Sequence, residues 1–297
     1  MYSVIFIIII ICILYLIIIH YFYEYFDNIN DFVYPIKNIK PTILNSVKSD
    51  IAIVYVYTPN IYDYCQHSIK NILHYAKKYG YNFIVYDTLF NTDVSPCWNK
   101  IAAIIKNLPD YKYVIWIDAD ALINNPHIQF ESFIQKYSSF DLLACTDINL
   151  EQECINSGVL IVKNTPWTNQ LFKKIWNSNI HHGHNDQNVI FYEIAKELYP
   201  DIPPNVKFSP YCLIINHPHF KILPENDFNS NIQNYKKNDF IIHLMGCSTK
   251  DRINIMRQIN TKIGIDDYNE KKCLDIIDNY NEYNRNYMIK KTCFTDN

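Results

Sequence analysis

YVIWIDAD, residues 113–120, is the stretch on which the fold turns. Its first five residues are apolar with no polar face, as expected of a strand buried on both sides of a sheet. The strand runs directly into Asp118-Ala119-Asp120. In extended chain, residues two apart point the same way, so Asp118 and Asp120 can face one cation together. Carboxylates are hard oxygen ligands suited to Mg²⁺ or Mn²⁺. Such a cation can bridge a diphosphate and neutralise the charge it gains on departure. The other reading is two solvated aspartates in a turn. The position after a buried strand favours a site, because ligands of α/β sheets gather beyond the carboxyl ends of the strands.

Upstream, residues 51–57 (IAIVYVY) form a β-branched apolar run that ends at Thr58-Pro59, and residues 83–86 form a second such run. Between them, residues 62–79 carry helical spacing at Ile69, Ile72, Leu73 and Ala76, with Gly80 as the stop. Residues 98–108 (WNKIAAIIKNL) predict a helix closed by Pro109. Downstream, residues 142–145, 159–162 and 240–244 predict strands, and residues 166–176 and 186–198 predict helices. Strands separated by helices imply an α/β domain with a mostly parallel central sheet covered on both faces.

The amino terminus differs from this pattern. Residues 4–19 (VIFIIIIICILYLIII) are apolar, and the stretch to Phe22 approaches the ~20 residues needed to span a bilayer. No Lys or Arg precedes the run and bulky residues follow it, which favours an uncleaved anchor over a signal peptide. The expected organisation is a transmembrane anchor over residues 1–23, an Asn-rich stem over 24–49, and one catalytic-sized domain over 50–297. Hydrophobic residues make up 49% and charged residues 19%, enough for a sizeable core. A formal charge of −3 with no basic stripe argues against a nucleic-acid partner. The nine cysteines include no C-x-x-C pair, so a zinc cage is not expected. Buried thiols and one or more disulfides both remain open.

Three further segments carry chemistry. HLMGC, residues 243–247, follows an apolar run. His243 is either a core histidine or a nitrogen ligand, and imidazole suits Mn²⁺ better than Mg²⁺. Gly246 would let backbone approach a phosphate, and Lys250 and Arg252 could neutralise a diphosphate. In CINSGVLIVKNTPW, residues 154–167, Asn156-Ser157-Gly158 marks a strand entry or a bulge lining a pocket. In HNDQN, residues 184–188, Asn185 is a candidate N-cap that sets Asp186 and Gln187 in the first helical turn. Asp186 there is either functional or a complement to the helix dipole.

Taken in this order, CWNKIAAIIKNLPDYKYVIWIDADALINN (97–125), INSGVLIVKNTPW, NDQ and HLMGC resemble glycosyltransferase family 34. That family includes yeast-type α-galactosyl- and α-mannosyltransferases and plant xyloglucan xylosyltransferases. The resemblance runs over roughly residues 51–247. It implies a GT-A fold, Mn²⁺ (or Mg²⁺), a nucleotide-sugar donor, a glycan or glycoprotein acceptor, and retention of anomeric configuration. It also implies a single-pass type II membrane protein facing a Golgi- or ER-like lumen, or host membranes if the gene is viral. By position, Asp118, Asp120 and His243 would hold the metal, and Asp186 and Gln187 would lie near the transferred sugar. Lys100, Asn156, Gly158, Gly246 and Lys250 would contact the donor. The basic residue after HLMGC is displaced to Lys250 relative to the family.

Other readings are a family 8-like glycosyltransferase, a haloacid-dehalogenase-like phosphatase, and an inactive membrane-tethered sugar-binding homologue. Family 8 shares the D-x-D and the late histidine–glycine. Trp98, Lys100, Asn164 and Trp167 favour family 34. The phosphatase would have its first aspartate on the first strand, whereas two strands are expected before Asp118.

Overall fold

The computed structural model describes residues 35–147, 154–178, 185–202 and 216–265. The anchor expected over residues 1–23 lies outside them. Among the described residues no helix is long and apolar enough to cross a membrane.

Ten strands are described: β1 (Thr42–Asn45), β2 (Ile51–Val56), β3 (Asn82–Tyr86), β4 (Tyr113–Ile117), β5 (Ala121–Ile123), β6 (Leu142–Cys145), β7 (Asn156–Lys163), β8 (Phe220–Leu223), β9 (Ser230–Asn231) and β10 (Ile241–His243). The helices are α1 (Tyr62–Tyr79), α2 (Asn99–Asn107), α3 (Phe130–Lys136), α4 (Pro166–Trp176), α5 (Asp186–Leu198), α6 (Glu225–Phe228) and α7 (Thr249–Lys262). Seven strands form one sheet in the order β1-β3-β2-β4-β7-β6-β8, and three form a second in the order β5-β10-β9.

The large sheet is mixed, which corrects the expectation of a mostly parallel one. Pairs β2–β3, β2–β4 and β6–β8 are parallel; β1–β3, β4–β7 and β6–β7 are antiparallel. The amino-terminal half obeys the βαβ logic. β7 then enters beside β4 in the opposite direction. A strand buried on both faces has the same apolar pattern whichever way it runs, so the sequence could not reveal that reversal. Residues 42–45 also depart from the expected stem: they pair with β3 as an edge strand.

Both faces of the sheet are covered. Ala52 and Val54 of β2 pack with Ile101, Ala102 and Leu171. Ile51, Ile53 and Tyr55 point the other way and pack with Ile72, Tyr75 and Ile259. Helix α1 ends at Gly80, whose left-handed φ of 69° closes the cap on Ala76 O. Buried Asn71 ties α1 to both the small sheet and α7. Its Oδ1 accepts from Ile123 N at 2.7 Å, and its Nδ2 donates to Asn260 Oδ1 at 3.0 Å.

Candidate metal and donor site

The D-x-D turn carries the chain from the large sheet to the small one. Asp118 follows the last residue of β4, and Asp120 precedes the first residue of β5. The two carboxylates therefore converge through a turn rather than through the strand alternation expected from sequence. The turn is pinned on all sides. Asp118 N donates to Gly158 O at 2.7 Å, and Leu244 N donates to Asp120 O at 2.9 Å. Between them, Ala119 O accepts from Tyr55 Oη at 3.2 Å and Ser68 Oγ at 2.9 Å. Those two hydroxyls come from β2 and α1, so the sheet and its covering helix jointly fix the aspartates.

His243 ends β10, which pairs antiparallel with β5. Its Nε2 lies 3.1 Å from Asp120 Oδ1 and 3.9 Å from Asp118 Oδ2. One ligand atom from each of Asp118, Asp120 and His243 falls within 4.8 Å of the others. Two carboxylate oxygens and an imidazole nitrogen are a donor set that suits Mn²⁺, so the residues present fit the expected cation. Burial works to lower the His243 pKa, but Asp120 outweighs it and the net direction is upward. Burial works to raise Asp120, yet His243 and Arg252 hold it below the usual carboxylate range. Asp118 is raised by burial, against the opposing pull of Lys100 and His243.

Lys100 is the buried cation of the site, 3% exposed. It projects from α2 and its Nζ lies 3.0 Å from Asp118 Oδ1 and 3.0 Å from Asp186 Oδ2. It also donates to Ser157 Oγ at 3.0 Å. Burial works to lower its pKa, but Asp118 and Asp186 override this and raise it. Asp186 opens α5, as expected, with Asn185 Oδ1 capping Asn188 N at 3.2 Å. The Asp186 carboxylate is buried and accepts from Ser157 Oγ at 2.6 Å. Gln187 Oε1 faces Ser157 N at 3.4 Å.

Gly158 owes its identity to packing. A Cβ there would overlap the His243 ring, so the histidine sits directly on backbone. The Asn156 side chain accepts from Gly158 N at 2.8 Å and donates to Asp147 Oδ2 at 2.8 Å. Gly246 is exposed and takes a φ of +71° in the turn between β10 and α7, a conformation that itself calls for glycine.

Lys250 is exposed, whereas Arg252 turns inward. Arg252 Nη2 lies 2.8 Å from Asp120 Oδ2, its Nε donates to Leu244 O at 3.3 Å, and its guanidinium lies over the Tyr64 ring at 5.1 Å. Beside the carboxylates, a cleft of about 180 Å³ is lined by Val56, Tyr57, Thr58, Leu89, Trp116 and Asp118, among others. Tyr64 borders it, and burial together with Asp120 pushes that phenol up to about 12.

The structure thus gathers Lys100, Asp118, Asp120, Asn156, Gly158, Asp186, Gln187 and His243, and leaves Lys250 and Gly246 at the rim. Sequence reasoning missed Ser157 as the bridge between Lys100 and Asp186, and it missed Asn229 beside His243. The thiols of Cys65, Cys97, Cys145 and Cys247 are reduced, and Cys154 is disulfide-bonded.

Residues 48–154 match the model of the galactosyl transferase GMA12/MNN10 family. That span includes Lys100, Asp118 and Asp120 and stops before Asn156. Among curated proteins, the Schizosaccharomyces pombe protein named "Probable alpha-1,2-galactosyltransferase gmh2" is 23% identical over 226 residues, covering 63% of this chain and 62% of its own. A second from that yeast, named "Alpha-1,2-galactosyltransferase", is 22% identical over 232 residues, covering 63% and 57%. The chain spans about three fifths of the length of these relatives. The crystal structure of a glycosyltransferase involved in the glycosylation of the major capsid of PBCV-1 superposes with a TM-score of 0.54 at 18% identity. It covers 69% of this chain and 98% of that one. That likeness is one of fold, and the fold is GT-A-like.

Proposed function

We propose that this chain, whose residues 48–154 match the galactosyl transferase GMA12/MNN10 family, is a metal-dependent glycosyltransferase of that family. It moves a hexose or pentose from a nucleotide sugar to a glycan acceptor with retention of configuration. UDP-sugars are the favoured donors, and GDP-mannose is the second class to test. The names of the relatives make UDP-galactose the first choice. The observation that carries the reading is the convergence of Asp118, Asp120 and His243 at the junction of the two sheets.

Asp118, Asp120 and His243 would hold Mn²⁺, which supplies electrophilic neutralisation of the departing diphosphate. The chain's own residues do the rest. The cleft beside Val56, Tyr57 and Thr58 takes the nucleoside. Arg252, aimed at Asp120, is the cationic side chain that meets the diphosphate, in the role the sequence assigned to Lys250. Lys100 bridges the carboxylates of Asp118 and Asp186 with a single positive charge. Asp186 and Gln187, at the start of α5, flank the transferred sugar and stabilise the positive charge that develops on it. The proposal includes an anchor over residues 1–23 that holds the domain in a Golgi- or ER-like lumen.

The test is release of nucleoside diphosphate from a panel of UDP- and GDP-sugars, with Mn²⁺ and with excess chelator. Turnover confined to the Mn²⁺ arm supports the reading. Activity that survives chelation, or no turnover of any nucleotide sugar, overturns it.

A further inference from the structure

A file of buried polar side chains leads away from His243 and takes no part in the cleft. His243, Asn229, Asn156 and Asp147 are 3%, 1%, 2% and 6% exposed. Their hydrogen bonds run in one direction. Asn156 Oδ1 accepts from the backbone N–H of Gly158 at 2.8 Å. A backbone N–H can only donate, so that atom must be the amide oxygen. The Asn156 amide nitrogen then points to Asp147 Oδ2, at 2.8 Å, where it donates.

The same Asn156 Oδ1 faces Asn229 Nδ2 at 2.8 Å, which fixes that amide as well. Asn229 Oδ1 is left facing His243 Nδ1 at 3.1 Å. A carbonyl oxygen only accepts, so Nδ1 carries the proton. A neutral imidazole protonated at Nδ1 has its lone pair at Nε2. Nε2 is the atom that faces Asp120 and Asp118.

We infer that Asn229 is a positioning residue which, braced by Asn156 and Asp147, selects the tautomer and direction of His243 that present Nε2 to the metal. The inference rests on the metal reading above. Asn229 itself touches neither metal nor substrate. Groups of this kind, bonded to the far nitrogen of a metal-binding histidine, typically change metal affinity by 10–100-fold when removed.

The experiment uses the full chain and two probes. Calorimetric titration with MnCl₂ reads affinity, and long-range ¹H–¹⁵N spectra of ¹⁵N-histidine-labelled protein in MgCl₂ read the tautomer. The wild type should show His243 with its proton on Nδ1. Asn229→Ala should weaken Mn²⁺ binding by about 10–100-fold and lose the ordered Nδ1–H signal. Asn260→Ala is the control for a merely structural role, since Asn260 is equally buried but pairs with Asn71. It should lower the melting temperature and leave Mn²⁺ affinity unchanged.

Wild-type protein that binds Mn²⁺ with its proton on Nε2 would overturn the inference alone, as would an Asn229→Ala variant that binds like wild type. Wild-type protein that binds no Mn²⁺ would overturn the metal reading and this inference with it. If Asn229→Ala fails to fold, the wild-type spectrum still decides.

Discussion

Arg252 and His243 divide Asp120 between them, and Arg252 takes the oxygen that His243 leaves. Arg252 Nη2 is 2.8 Å from Asp120 Oδ2, while His243 Nε2 is 3.1 Å from Oδ1. A guanidinium so placed can reach a ligand bound at the carboxylates without losing its support from Leu244 O and the Tyr64 ring. Arg252→Ala should raise the KM for donor by about 10–100-fold, matching the ~1.5–3 kcal/mol of a hydrogen bond to a charged group. Lys250→Ala should stay within about twofold of wild type, as surface substitutions do. Steady-state kinetics on both variants check this, and the reverse ranking would return the diphosphate contact to Lys250.

The proposed metal ligands make a prediction about stability as well as rate. Mn²⁺ at a hundred times its Kd should stabilise the wild-type domain by about 2.7 kcal/mol. Asp118→Asn, Asp120→Asn and His243→Ala should each abolish that increment together with activity. Thermal melts with Mn²⁺ and with chelator provide the measurement. A variant that still gains stability from Mn²⁺ would remove its residue from the ligand set.

Gly158→Ala tests the seat of His243. A methyl there would meet the ring, and overpacking of this kind costs about 1–3 kcal/mol. Part of the cost should appear as weaker Mn²⁺ binding, because the ring is what must move. Loss of stability with Mn²⁺ affinity intact would mean that the backbone yields instead.

Asp186 and Lys100 should separate cleanly. Lys100→Met strands two carboxylates in a buried site and should cost about 3–5 kcal/mol by denaturant unfolding. Asp186→Asn keeps Asp118 as a counter-ion for Lys100, so its loss of stability should be smaller. Its single-turnover transfer rate should fall strongly while donor affinity holds, the pattern of an interaction made mainly in the transition state. An unchanged rate would leave Asp186 as the partner of Lys100 and nothing more.

Much of this candidate site is legible in the sequence, because local signals carry it. The unbroken apolar run of β4 followed by Asp118-Ala119-Asp120 located the turn. Gly80 marked the end of α1, and Asn185 marked the start of α5. What stayed hidden depends on contacts distant in sequence. Strand β5 is three residues long and exists through its pairing with β10. Thr42–Asn45 (TILN) is a four-residue edge strand with no alternation to announce it. Lys250 and Arg252 are both basic residues near the start of α7, and only the folded contacts show that Arg252 reaches Asp120. Asn229 is one asparagine in a chain rich in them, and only its direct contact with His243 sets it apart.

The turn that joins the two sheets also dates the birth of the site. Asp120 and His243 are 123 residues apart along the chain. During synthesis the amino-terminal part emerges and folds first. Lys100, Asp118 and Asp120 are therefore made long before the nitrogen donor exists. A nascent chain stopped short of residue 243 carries the two carboxylates but also lacks β10, the strand that β5 pairs with. On the metal reading proposed above, competence to bind the cation arrives in one late step, together with the closing of the small sheet. Arg252, which takes the other oxygen of Asp120, is made later still.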